Sequence, residues 1–367
     1  MSEAEQTEVL DEQPRSILLG IISQLRKGAD LHRVTLPTFV LEPRSYLERI
    51  TDFMSHPEIM LEALKTKEPE QRFLLVLKYF LSGWHIQPKG VKKPYNPVLG
   101  ECFRSKFDIK GEGCGYYVAE QTSHHPPISS FVYYNPKGVL IRGESKPKSR
   151  FLGNSACTLM EGDTIIRLCN PALKIDETYR ICLPNVYARG LLFGTMLLEL
   201  GDFAKIFSST GYKAEIEFKT KGFFSGSYNA IGGKVTDSND KTVYEISGNW
   251  KETIYYKKKT EEVLFDCAKS IATKPQIAAE KDQEPYESRR LWSKTTEAMK
   301  KNDMDAATEE KTKVEDKQRE FAKARGDKDW NCRFFNKIEE DDKDVVPEGF
   351  FAEEFKLKIL DQYFKLI

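Results

Sequence analysis

From about Pro94 to Lys259 the chain runs as short stretches of alternating apolar and polar residues, broken by Gly, Asn and Pro, with no helical repeat between them. "KAEIEFK" is the cleanest: Ala214, Ile216 and Phe218 alternate with Lys213, Glu215, Glu217 and Lys219. Side chains alternate across a pleated strand, so one face of that segment is dry and the other wet. "GYYVAE", "SSFVYY", "GVLIRG", "DTIIRL" and "KTVYEISGNW" follow the same rule. Successive strands without crossover helices pair antiparallel, and a sheet this broad curls or closes to limit its exposed edges. The pattern predicts an α+β, mainly β, protein whose antiparallel barrel occupies about residues 90–260.

Helical periodicity flanks this region. Leu18, Ile21, Ile22 and Leu25 recur at i, i+3, i+4 and i+7, and Arg26, Lys27 and Gly28 supply a cationic last turn and a stop. Residues 16–35 therefore read as a short amphipathic unit, preceded by an acidic, disordered arm over 1–15 that carries Glu3, Glu5, Glu8, Asp11 and Glu12. Ser45 and Glu48 are spaced as a capping box opening a helix with Tyr46, Leu47, Ile50, Phe53 and Met54 on one side. "EQRFLLVLKYFLSG" predicts a second helix ending at Gly83. Helices return over about 284–367, the longest capped by Asn302 or Asp303 and stopped by Gly326.

Lys and Arg balance Asp and Glu at 56 each, so no global field draws in nucleic acid, and a charged partner must be met locally. Seven cysteines without a CxxC pair fit neither a disulfide framework nor a cysteine-rich zinc site, and point to a reducing cytosol. The apolar run near the N-terminus is too short to span a bilayer. A soluble, cytoplasmic chain without signal peptide or transmembrane anchor is expected.

Three constellations carry candidate chemistry. "EQTSHHPPISS" sets His124 and His125 against Pro126 and Pro127. Adjacent histidines on a strand face opposite ways and chelate one ion poorly, and neither HExxH nor GxSxG is present, so neither a metal centre nor a nucleophile is expected. "GEGCG" lacks the following helix a phosphate loop requires and reads as a hairpin turn. The histidines fit either satisfied polar residues at a strand end or a pre-aimed anion grip, because imidazolium donates from both nitrogens. Lys311, Glu315 and Arg319 lie at i, i+4 and i+8, on one helical stripe about 12 Å long. Alone it fits a solvated, salt-bridged face. "KKPYNPVLGE" holds Lys93 and Asn96 between prolines, which by itself is a turn.

"EQTSHHPPISS", "KKPYNPVLGE", "LPTFVLEPRS" and the Lys–Glu–Arg helix occur in the order found in the oxysterol-binding-protein-related lipid-transfer family, which this chain resembles from about residue 16 onward. The resemblance implies an incomplete β-barrel around a lipid tunnel, an N-terminal lid (Leu18, Ile21, Ile22, Leu25), a lipid-binding domain over 36–367, and no enzymatic activity, metal or cofactor. It implies that His124, His125 and Arg319 bind the 4-phosphate of phosphatidylinositol 4-phosphate, Lys93 and Asn96 the bridging phosphate, and Lys311 and Glu315 the inositol ring.

"LPTFVLEPRSYLERITDF", "LSGWHIQPKGVKKPYNPVLGE" and "KPKSRFLGNSACTLMEGD" resemble the branch that exchanges phosphatidylserine for phosphatidylinositol 4-phosphate, with sterol exchange or lipid sensing as the alternatives. In that branch Leu36, Pro37, Thr38 and Phe39 line the tunnel mouth and Asn96 serves both headgroups. The expected protein is a monomer that meets membranes transiently at endoplasmic reticulum–plasma membrane contacts, helped by an anchoring protein. "EGFFAEE" near the end is similar to a receptor-docking motif but is broken by Ala352 and Glu353, and reads as structural.

Overall fold

The computed structural model describes residues 20, 26–29, 38–86, 92–192, 196–221, 226–326 and 328–335. The acidic arm, Leu18, Ile21, Ile22, Leu25, Leu36, Pro37, the side chain of Phe39 and "EGFFAEE" lie outside the described residues.

Sixteen strands are described: β1 (Leu41–Ser45), β2 (Lys93–Tyr95), β3 (Cys102–Ile109), β4 (Gly113–Ser123), β5 (Ile128–Asn135), β6 (Val139–Phe151), β7 (Ser155–Glu161), β8 (Thr164–Asn170), β9 (Ile175–Cys182), β10 (Asn185–Arg189), β11 (Leu197–Ser208), β12 (Lys213–Lys219), β13 (Ala230–Thr236), β14 (Thr242–Asn249), β15 (Thr253–Lys257) and β16 (Glu261–Asp266). β3 to β16 form one 14-stranded sheet whose strand pairs are all antiparallel. Its alternation follows the sequence: in β12 every second residue is buried. "GEGCG" is the β3–β4 hairpin, with Gly111 and Gly113 at positive φ.

The sheet forks. Residues 139–143 of β6 pair with β8, while residues 146–151 pair with β7. β11 rejoins the two branches, taking β10 along residues 197–201 and β9 along 205–208. Only the longest strands serve two neighbours on one edge, and β6 and β11, at 13 and 12 residues, are the longest described.

Among the described residues the barrel does not close edge to edge. The free edge of β3 is met by two single bridges, Cys102 with Glu287 and Lys106 with Gln276. Helices share the inner core with the strands, chiefly α2 (Pro57–Lys65) through Ile59, Met60 and Leu64, and α3 (Pro69–Ser82) through Phe73, Leu77 and Phe80, packed with Tyr117, Phe131, Tyr133, Ile166 and Ile216. α3 is also held to β9 by a buried ion pair, Arg72 Nε to Glu177 Oε2 at 2.8 Å, which Tyr179 completes by donating its hydroxyl.

The capping box at Ser45 forms only in part. Ser45 accepts from Leu47 N, but the buried Glu48 pairs with Arg289 Nη2 at 2.7 Å, and α1 (Tyr46–Arg49) gives way to a 3-10 turn over Ile50–Met54. α2 was not anticipated from the sequence. On the C-terminal side come α4 (Ser288–Leu291), α5 (Ser293–Lys300) and α6 (Met304–Arg325). Asp303 rather than Asn302 caps α6, accepting from Ala306 N at 3.0 Å, and Gly326 stops it at φ 60°.

Candidate functional site

The separated motifs are bound together by buried polar contacts. β1 and β2 pair in parallel, Leu41 beside Lys93 and Ser45 beside Tyr95, so "LPTFVLEPRS" lies along "KKPYNP". Glu101, 1% exposed, ends the second motif and accepts from Ser45 Oγ, Ser288 Oγ (2.7 Å), Trp292 Nε1 (2.9 Å) and Val98 N (3.1 Å). Burial raises its carboxyl pKa, the four donors opposing. Tyr95 stacks on Trp292 with centroids 4.8 Å apart. Three distant segments thereby share one base.

Residues 124–127 form the turn between β4 and β5, with the His125–Pro126 bond cis. His124 is half-buried and donates from Nδ1 to Pro97 O at 3.1 Å, so in the neutral ring Nε2 is left as the acceptor. His125 is exposed, its ring centroid 4.6 Å from that of His124. Burial lowers the His124 pKa and His125 lowers it further, while the Pro97 bond and the charge on Glu315 work the other way. On α6, Lys311 Nζ lies 2.6 Å from Glu315 Oε1, and Arg319 Nη2 lies 3.9 Å from Glu315 Oε2. Lys311 is nearly buried, at 12% exposed, whereas Arg319 is largely open at 64% and also pairs with Asp316. Gln318 fixes α6 to the second motif by accepting from Leu99 N at 3.1 Å.

Lys93, Asn96, His124, His125, Lys311, Glu315 and Arg319 all line one cavity of about 1320 Å³. Elements more than 200 residues apart in sequence thus converge on one concave, cation-rich surface. Lys146, Lys148 and Arg150 line it as well, from the forked end of β6, outside the three sequence constellations. The signal was present: in "KPKSR" the cations alternate at period 2, which on a strand puts all three on one face. Two of them are balanced, Lys146 by Glu144 at 2.5 Å and Lys148 by Glu161 at 2.6 Å. Thr38, one of the residues expected at the tunnel mouth, is buried, and its hydroxyl lies 3.2 Å from that of Thr308 near the start of α6.

The cavity wall supplies six permanent cations and two imidazoles against Glu161 and Glu315, a composition suited to a ligand with more than one negative charge. Among the described residues no group of three or more His, Cys, Asp or Glu is placed to hold a metal ion, and no helix is long and apolar enough to cross a membrane. All seven cysteines are free thiols.

Comparison with known proteins agrees with this geometry. The sequence profile of the oxysterol-binding protein family matches residues 20–351. The chain is 45% identical over 351 residues to oxysterol-binding protein homolog 7 of Saccharomyces cerevisiae, covering 91% of this chain and 80% of that one. It is 39% identical over 336 residues to human oxysterol-binding protein-related protein 5, covering 89% of this chain and 38% of the human protein. Among solved structures, the Osh1 ORD domain in complex with cholesterol superposes with a TM-score of 0.76 at 23% identity, covering 98% of this chain and 93% of that one. The Saccharomyces cerevisiae Osh3 ORD in complex with PI(4)P gives 0.70 at 20% identity, covering 91% of this chain and 89% of the other, so these structures share its fold. The chain belongs to the oxysterol-binding protein family, whose members bind and transfer lipids rather than catalyse a reaction.

Proposed function

We propose that this protein exchanges phosphatidylserine for phosphatidylinositol 4-phosphate between membranes, carrying one lipid at a time in the barrel. The observation that carries this reading is the convergence of seven residues from three separated motifs on one cavity. His124, His125 and Arg319 take the phosphate monoester, Lys93 and Asn96 the bridging diester, and Lys311 and Glu315 the ring hydroxyls. Glu315 accepts from hydroxyls while holding Lys311 in place. The choice of phosphatidylserine over sterol rests on the resemblance of the 36–53 and 81–101 text to that branch.

Exposing two acyl chains of about 30 methylenes would cost roughly 20 to 25 kcal/mol at about 0.8 kcal/mol each, so the lipid needs a dry interior and a cover. Residues 16–35 supply that lid in this reading, with Leu18, Ile21, Ile22 and Leu25 on its apolar side. Because both lipids use one tunnel, loading one excludes the other, and a phosphoinositide gradient drives the serine lipid uphill. The protein works as a cytoplasmic monomer at endoplasmic reticulum–plasma membrane contacts, brought there by an anchoring partner.

The test is mass spectrometry of lipid co-purified from eukaryotic cells, for the wild type and a His124→Ala, His125→Ala variant. Phosphatidylserine in both, with the phosphoinositide lost only from the variant, is the expected result. Sterol in the wild type would overturn the choice of branch.

A further inference from the structure

The anion grip is split between a β-turn and a helix, and both halves are braced on residues 97–101. Pro97 O accepts from His124, Leu99 N donates to Gln318, and Gly100 N donates to Gln121 O at 2.9 Å. A third brace comes from the segment that follows α6. Trp330 lies directly on Gly100, where an added Cβ would sit 2.3 Å from the indole Cζ2 and φ is already +73°. Only glycine admits the ring there.

The same segment is gripped by Glu120, the first residue of "EQTSHHPPISS" and 0% exposed. Glu120 accepts from Trp330 Nε1, Arg333 N and Phe334 N, each at 3.0 Å. The Arg333 guanidinium lies 3.9 Å from the Tyr286 ring centre, and Phe334 and Phe335 cover Val118, Val132, Tyr134 and Leu140 on the outer face of the sheet. A carboxylate four residues before His124 is therefore engaged by the tail and does not line the cavity.

We propose that residues 330–335 are a strap that sets the tautomer and aim of His124: Trp330 presses residues 97–101 against the end of β4, presenting the Pro97 carbonyl to Nδ1. Its consequence for affinity rests on the phosphoinositide reading, while the tautomer itself does not. Trp330 and Glu120 are positioning residues, and neither lines the cavity.

Long-range 1H–15N spectra of the imidazoles test this in the ligand-free, full-length protein. Wild type is expected to show His124 as the Nδ1–H tautomer. Trp330→Ala, folded as judged by circular dichroism, is expected to shift it toward the Nε2–H form that free imidazole prefers. It should also weaken binding of dioctanoyl phosphatidylinositol 4-phosphate about tenfold, the loss of one well-aimed hydrogen bond. Trp330→Phe keeps a ring over Gly100 and should keep the tautomer. Should Trp330→Ala fail to fold, Glu120→Gln, which retains one acceptor oxygen and the side-chain size, gives the same readout with a partial shift expected. A folded Trp330→Ala or Glu120→Gln protein with His124 still protonated at Nδ1 overturns the strap, and a shifted tautomer with unchanged affinity overturns its link to binding. Wild type that fails to bind the phosphoinositide would remove that reading alone, because the tautomer comparison still decides the strap.

Discussion

Replacing Lys311 by Ala removes more than one cation, because its ammonium lies 2.6 Å from Glu315 Oε1, and Glu315 would then meet the anionic headgroup with only the more distant Arg319, at 3.9 Å, to offset it. At about 5 Å and an effective dielectric near 20, one charge acting on the ligand is worth about 3 kcal/mol, and partial exposure of Glu315 reduces that to about 1.5 kcal/mol. Adding a lost charge-assisted hydrogen bond of about 1.5 kcal/mol brings the effect of Lys311→Ala to about 3 kcal/mol, roughly a hundredfold in affinity. Glu315→Ala should be nearly neutral, within about fivefold, since relieved repulsion offsets a lost acceptor. The double variant should recover to about tenfold below wild type, a coupling above 1 kcal/mol. Titration calorimetry with dioctanoyl phosphatidylinositol 4-phosphate measures all four proteins. A double variant as weak as Lys311→Ala, or weaker, would show that Glu315 does not screen this site and would refute the reasoning.

Two further predictions concern pH and stability. Burial holds the His124 pKa below its ordinary value, so the free protein carries it neutral at pH 7, and an arriving phosphate favours the protonated ring. Wild type should therefore take up more protons on binding than His124→Gln, and its affinity should fall more steeply as pH rises; calorimetry in buffers of different ionisation enthalpy reads this, and equal uptake by both proteins would exclude His124. In the Arg72–Glu177 pair, 4% and 7% exposed, Arg72→Met leaves a buried carboxylate without its cation and should lower unfolding stability by about 3 to 5 kcal/mol. Adding Glu177→Leu should return most of it in a urea titration, whereas a double variant no more stable than the single would count against a desolvation penalty.

The strand pattern was legible because burial on one face of a sheet imposes a two-residue period, and β12 reproduces it residue by residue. The stop of α3 at Gly83 and the cap of α6 at Asp303 were legible because those interactions are local. The fork at β6 was not, since pairing with two different strands along one edge leaves no mark on the alternation of the strand itself. α2 was missed although Pro57 sits at its start, because nine residues are too few for periodicity to outweigh the strand-rich context. At Ser45 the spacing suggested a complete capping box, but tertiary partners intervened: Glu101 takes the hydroxyl and Arg289 takes Glu48.

The sequence by itself determined which side chains carry the chemistry, because charge, tautomerism and backbone restriction belong to the residues. Lys311, Glu315 and Arg319 fall on one stripe of any helix that contains them, and two prolines constrain the backbone after His125 wherever the turn lies. Only the tertiary structure decided that these groups share a cavity, that Lys146, Lys148 and Arg150 join them, and that Glu120 holds the tail instead of a lipid. The reason is physical: Glu120 and Trp330 meet across 210 residues, and burying a carboxylate is tolerable only where folding brings donors to it.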